Sequence, residues 1–383
     1  MPVHTLGSWI LNAGAISTTI SPDRESSYSF DLEGRPLSWL LQDDLFRRSL
    51  ASEVHGRSGC GAGRRRWRLD RDEASASFAA VLARAAGAPW DGLGGEMIAR
   101  RDAILRWTPE TLLAEEERFR AAYRPVAILP PDQYRALVLQ ATIGCTWNRC
   151  TFCSFYQDRP FRGRTETAFR EHVAAVARLF GRAVVLRDRI FLADGDALTL
   201  PNRRLLAFLE SARRAFPDRP FAGFVEAHDE RRKPAGDWIE LREQGLENVC
   251  LGLESGHEEL LRFMNKPATA ACAADLIVDL KSAGLRVSVV VLCGAGGERF
   301  AAAHLSDTVA LLARMPLGEG DIVHLSPFVE HPESDYACRA RAERLTPLDA
   351  ADSEAQLKSL RDLIRRCLPG VKTARYDIRE FFY

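Results

Sequence analysis

From about residue 135 of this 383-residue chain, short β-rich apolar runs alternate with amphipathic stretches of helical length, and no other feature constrains the fold as strongly. The strand runs are 137–142, 190–193, 221–225, 249–253, 286–292 and 321–325. Helical stretches lie between them at 165–180, 203–215, 237–244, 268–283 and 301–315. In the first of these Phe169, Val173, Val176 and Phe180 fall on one face, and Gly284 stands where the fourth needs a C-cap. Strands alternating with helices imply a parallel sheet with right-handed crossovers, open or rolled into a barrel. Either arrangement gathers ligands at the carboxyl ends of the strands, so the residues there carry the functional argument.

Directly after the first run stands Gly144-Cys145-Thr146-Trp147-Asn148-Arg149-Cys150-Thr151-Phe152-Cys153, with three thiols in nine residues. Three soft ligands on one loop can hold zinc if a fourth protein ligand completes a tetrahedron. They can equally hold three irons of a [4Fe–4S] cluster and leave the fourth iron open. No second cysteine pair follows closely, and the next histidine, His172, falls inside a predicted helix. The second run ends in Asp194-Gly195-Asp196, which offers acceptor oxygens and a backbone that can approach an ammonium group closely. An Asp-Gly turn capping the next helix is the plainer reading. The third run ends in Glu226-Ala227-His228, where the histidine also fits a surface cap or a satisfied core position. The fourth leads into Glu254 and Ser255, able to hydrogen-bond hydroxyl or carboxylate groups and equally at home in a plain strand-to-helix turn. After the fifth come Cys293, Gly294 and Gly296 in a Gly-rich turn, and after the sixth a segment that ends at Tyr336.

Taken in order, these motifs resemble the radical S-adenosylmethionine (SAM) superfamily over roughly residues 135–340. In that family a three-cysteine loop follows the first strand of a six-stranded partial (β/α)6 barrel, with an aromatic residue before the last cysteine, as Phe152 is here. The spacing differs from the common one: four residues and then two, rather than three and then two. The surrounding loop looks like that of poorly characterised bacterial members related to the coproporphyrinogen-dehydrogenase and Elongator-catalytic-subunit type. The resemblance implies that Cys145, Cys150 and Cys153 hold a [4Fe–4S] cluster whose open iron binds SAM. Reductive cleavage of SAM to a 5′-deoxyadenosyl radical would then start hydrogen abstraction from an unidentified substrate. It assigns SAM contacts to Phe152, Asp194, Gly195, Asp196, Glu226, Glu254, Ser255, Gly294 and Gly296, and it leaves Cys293, His228 and Tyr336 as candidates for catalysis. A reduced flavodoxin- or ferredoxin-type electron donor is implied as partner. The alternatives are an RNA-modifying enzyme of the same superfamily and a non-enzymatic heme- or cluster-binding carrier on the same scaffold.

Composition agrees with a folded protein that carries no global field toward nucleic acid or acidic membrane. Fifty-two basic residues balance 52 acidic ones, with 46% hydrophobic residues and pI near 7.1. The N-terminal stretch lacks the basic flank and unbroken apolar core of a secretory signal, no run is long enough to span a bilayer, and the nine cysteines do not form a secreted disulfide pattern, so the expected location is cytoplasmic. Residues 1–134 read as an accessory region of helices around short strand-like pieces such as Ser27–Phe30. Its helices are expected at Glu73–Ala86 and Pro109–Ala122, the second capped by Thr108. Within this region Ser58 to Arg68 is Gly-rich and runs into arginines; it reads first as a solvated loop and second as a phosphate or nucleic-acid contact. Residues 341–383 read as a helical extension with a helix near Ser353–Cys367 and an aromatic tail.

Overall fold

The computed structural model describes residues 3–59, 65–228 and 232–383. It divides into two compact units: Met1–Pro125 with Ala174–Arg187 and Phe382–Tyr383, and Val126–Val173 with Asp188–Phe381.

The first unit is built on an eight-stranded antiparallel sheet in which every strand pairs with its sequence neighbour. Its strands are β1 (Val3–Leu6), β2 (Trp9–Ala13), β3 (Thr18–Ser21), β4 (Ser26–Phe30), β5 (Pro36–Leu41), β6 (Asp44–Arg48), β7 (Val54–Ser58) and β8 (Arg65–Arg68). The period of two is plain in β4, where Tyr28 and Phe30 are buried and Ser27 and Ser29 only half so. The buried face meets α1 (Arg71–Ala86), α2 (Gly95–Leu105) and α3 (Pro109–Leu113) around Trp39, Phe78, Trp90 and Met97. Asp70 and Glu73 form a reciprocal capping box on α1. The stretch expected as one helix from Pro109 divides at Ala114 into α3 and α4 (Glu115–Ala122). Beside them Arg35, buried between Asp31 at 2.7 Å and Glu115 at 2.9 Å, donates to the carbonyls of Leu179 and Phe180. Most of this sheet was not foreseen: its strands are short, and their polar positions mask the alternation. Cys60 to Arg64 of the Gly-Arg stretch lie outside the described residues.

The second unit carries the expected parallel sheet. Its strands are β9 (Ala136–Gln140), β12 (Arg189–Ala193), β13 (Phe221–Val225), β14 (Leu246–Glu254), β15 (Arg286–Cys293) and β16 (Ile322–Pro327); a two-stranded antiparallel pair, β10 (Thr142–Ile143) and β11 (Arg162–Gly163), stands apart. The six neighbour one another in chain order, all parallel, as the alternation predicts. The tail adds a seventh strand, β17 (Lys372–Arg375), parallel to β16, beyond the helical extension expected there. The crossovers run through α5 (Glu166–Phe180), α6 (Asn202–Ala215), α7 (Ala235–Glu243), α8 (Glu258–Phe263), α9 (Ala270–Ser282) and α10 (Gly297–Arg314); α11 (Asp335–Ala342) and α12 (Ala350–Cys367) follow β16. All five residues of β9, and all of β15 but Arg286, are buried, as a sheet covered on both faces requires. Among the described residues no helix is long and apolar enough to cross a membrane.

Candidate active site

A cavity at the carboxyl ends of these strands is lined by Cys145, Cys150 and Cys153, by Phe152, Gly195, Asp196, Glu226 and Glu254, and by Lys266, Phe224, Leu292, Phe328 and Tyr376. Its position follows from the parallel topology: each strand delivers its last residues and the following loop to the same end of the sheet.

The cysteine loop is held from several sides. Thr151 donates its backbone N–H to Met264 O at 3.0 Å, Trp147 its indole N–H to Asn265 O at 2.7 Å, and Asn265 its amide to Arg149 O at 2.7 Å. The turn after α8 therefore clasps the loop, and Tyr336 N reaches Thr151 O at 3.1 Å. Backbone N–H groups of Trp147 and Asn148 point at Cys145 Sγ, and that of Phe155 at Cys153 Sγ. Burial pushes the Cys145 thiol up to about 12 and raises Cys150 and Cys153 as well. In the free chain these are protonated thiols, whose protons leave on metal binding. Among the described residues no three His, Cys, Asp or Glu side chains converge as ligands of a single ion; the three thiols line a wall.

Asp194 and Asp196 have different jobs. Asp194 is buried and accepts from Gln140 Nε2 at 3.0 Å and Gly144 N at 3.4 Å, with Arg159 at 3.8 Å; it does not line the cavity. It staples the strand end to the loop. Asp196 does line the cavity, and it accepts from both the N–H (3.1 Å) and the hydroxyl of Thr146, whose hydroxyl also meets His228 Nε2 at 3.2 Å. Burial raises the pKa of both carboxyls. Between them Gly195 lies so close to the loop that a Cβ would sit 2.8 Å from Cys145 Cβ.

A buried ion cluster lines the same cavity. Lys266, 4% exposed, donates to Glu226 at 2.6 Å and to Gly252 O at 2.9 Å, with Glu254 at 3.7 Å. Burial alone would lower the lysine's pKa, but the two carboxylates outweigh it and raise it. Burial pushes Glu254 up to about 7 against the pull of Lys266.

Other expected residues stand elsewhere. Ser255 bonds His304 Nδ1 at 2.8 Å, beneath the sheet end. Gly294 donates to Gln356 and Gly296 to the Tyr336 hydroxyl, both at 2.7 Å, and Cys293 is buried. None of these residues, nor His228, lines the cavity. Lys266 and Tyr376 went unforeseen. Lysine is scarce in this chain, five residues in all, which was the available signal for Lys266. Tyr376 arrives only because β17 returns to the sheet.

The model of the Radical SAM superfamily matches residues 139–306, the span that holds the cysteine loop and the strand ends through β15. This part of the chain is a radical SAM domain. The domain's cofactors are a [4Fe–4S] cluster and SAM. No curated protein matches the chain. Solved structures similar to it include coproporphyrinogen III oxidase (HemN) from Escherichia coli, 13% identical with TM-score 0.47 over 61% of this chain and 54% of that one. Methylornithine synthase is 13% identical, with TM-score 0.40 over 63% of this chain and 73% of that one. Elp3 of Methanocaldococcus infernus is 13% identical, with TM-score 0.41 over 54% and 51%. The chain thus spans about half the length of the Escherichia coli enzyme.

The residues present fit the cluster of this domain: three thiols on one cavity wall, N–H groups aimed at sulfur, and a glycine where any Cβ would push the loop away.

Proposed function

We propose that the chain is a radical SAM enzyme acting on a substrate held in the strand-end cavity, with Cys145, Cys150 and Cys153 as cluster ligands. The observation that carries this reading is that the three thiols share one cavity with the carboxylates of Asp196, Glu226 and Glu254. Held by these three thiols, a [4Fe–4S] cluster would supply the electron for reductive cleavage of SAM, the chemistry that would start hydrogen-atom abstraction from substrate.

The chain's own residues do the rest. Asp196 and Gly195 present acceptor oxygen and open backbone to the methionine ammonium, while Asp194 holds the loop that carries the ligands. Glu254 accepts from ribose hydroxyls, and Lys266 keeps it and Glu226 in place. Phe152, Phe224, Leu292 and Phe328 wall the cavity with apolar surface that excludes water from the reacting carbon. A flavodoxin- or ferredoxin-type donor supplies the electron.

The test is anaerobic reconstitution with iron and sulfide, reduction, addition of SAM and quantification of 5′-deoxyadenosine. Production that vanishes when Cys145, Cys150 and Cys153 are replaced by alanine supports the reading. A brown protein that holds a cluster and never cleaves SAM overturns it in favour of a carrier.

A further inference from the structure

The arginines that end the Gly-Arg stretch acquire a setting from the register of the first sheet. Pairing places Arg47 opposite His55 and His55 opposite Arg68; one step along, Leu45 lies opposite Arg57 and Arg57 opposite Arg66. Cross-strand partners share a face, so all of these side chains stand on one side of β6–β8. The other side carries Phe46, Gly56 and Trp67, with Phe46 against the core. Arg47, Arg57, Arg66 and Arg68 are exposed.

This grid costs stability, because like charges directly opposite across a ladder repel. Glu53 offsets part of it, pairing with Arg68 at 2.7 Å and His55 at 3.2 Å. Protection of an open sheet edge accounts for arginines on β8, the edge strand, and not for Arg47 and Arg57 on interior strands. The face also carries an aromatic ring, since Phe382 stacks on His55 with centroids 4.2 Å apart. Beyond Arg47 the same row continues across β5 to β2 as Ser38, Ser29, Thr19 and Asn12.

We propose that this face binds single-stranded RNA, with the four arginines on backbone phosphates, the Phe382 edge against a base, and the hydroxyls of Ser38, Ser29 and Thr19 with the Asn12 amide toward 2′-hydroxyl groups. Basic groups interleaved with an aromatic ring are the elements of single-strand binding, and neighbouring hydroxyls suit the group that distinguishes RNA from DNA. The proposal goes beyond the radical SAM reading and does not depend on it.

The test is fluorescence anisotropy of a labelled oligouridylate of about a dozen nucleotides with the cluster-loaded full chain, and with the cluster-free chain in parallel, across salt. Four phosphate contacts predict a log–log salt slope of about −3. Replacing Arg57 and Arg66 by alanine weakens binding about tenfold and flattens the slope by about 1.4. The same double variant stays folded, read from an unchanged circular dichroism spectrum. Arg214→Ala, exposed on α6, leaves binding unchanged. No binding, salt-independent binding, equal binding of the deoxy oligomer, or equal loss in the Arg214 variant would overturn the proposal. Binding by the cluster-free chain supports it whatever becomes of SAM cleavage.

Discussion

The parallel sheet buries every residue of β9 and seven of the eight in β15, whereas β4 of the antiparallel sheet buries Tyr28 and Phe30 and leaves its serines partly open. The difference decides where chemistry can be placed. A strand covered on both faces has no free side, so polar groups inside it, such as Ser288 and Asn248, are tied up in hydrogen bonds, and those open to a ligand stand at its end: Asp196, Glu226 and Glu254. A strand covered on one face keeps every second position for other use, and Arg47, Arg57, Arg66 and Arg68 occupy such positions.

Each region also holds a buried cation between carboxylates, and breaking both sharpens the comparison most. Arg35→Met removes the buried cation between Asp31 and Glu115, each with a side chain 2% exposed, leaves Asp31 with backbone N–H groups and Glu115 with Arg118, and takes donors from two carbonyls. Lys266→Met strands Glu226 and Glu254, and Glu254 can take up a proton near pH 7. Arg35→Met should cost about 3–5 kcal/mol by chemical denaturation and Lys266→Met less, with most of the latter loss recovered in Lys266→Met/Glu226→Gln. Equal losses would remove the distinction drawn between the two clusters.

Next in size is Gly195→Ala. Its Cβ meets the cysteine loop at 2.8 Å, so the expected cost is about 1–3 kcal/mol with reduced iron content after reconstitution. A variant with full iron content would show that the loop yields freely.

The smallest effects are in pH dependence. Glu254 has its pKa raised from 4.5 to about 7, so it contributes stability at low pH that is lost as pH rises through 7. His304, buried against Ser255, is depressed from 6.5 to about 4, and contributes stability above 6.5 that is lost as pH falls. The two slopes oppose each other between about pH 4.5 and 6.5. In the cluster-free protein, Glu254→Gln should steepen the loss of stability on acidification and His304→Gln should flatten it, read from denaturation midpoints across that window.

The core was legible because its signals are local. Six apolar runs set six strands, with 221–225 matching β13 residue for residue, and the three thiols fall within one loop. What escaped depends on tertiary return. Neither Tyr376 nor Lys266 carries a motif; one enters through a strand added at the tail, the other through a turn that clasps the loop. Asp194 and Asp196 read alike in sequence, and only hydrogen bonding separates the staple from the cavity wall. The antiparallel sheet escaped because strands of four to six residues rich in serine and arginine give weak alternation, although their pairing assembles the arginine face.

The most direct test of the central claim is electron paramagnetic resonance of the anaerobically reconstituted, reduced protein with and without SAM, beside a Cys150→Ala variant. The account predicts a [4Fe–4S] signal that shifts on adding SAM and is lost in the variant. A colourless protein that retains one zinc per chain, or a cluster signal indifferent to both SAM and Cys150, would contradict it.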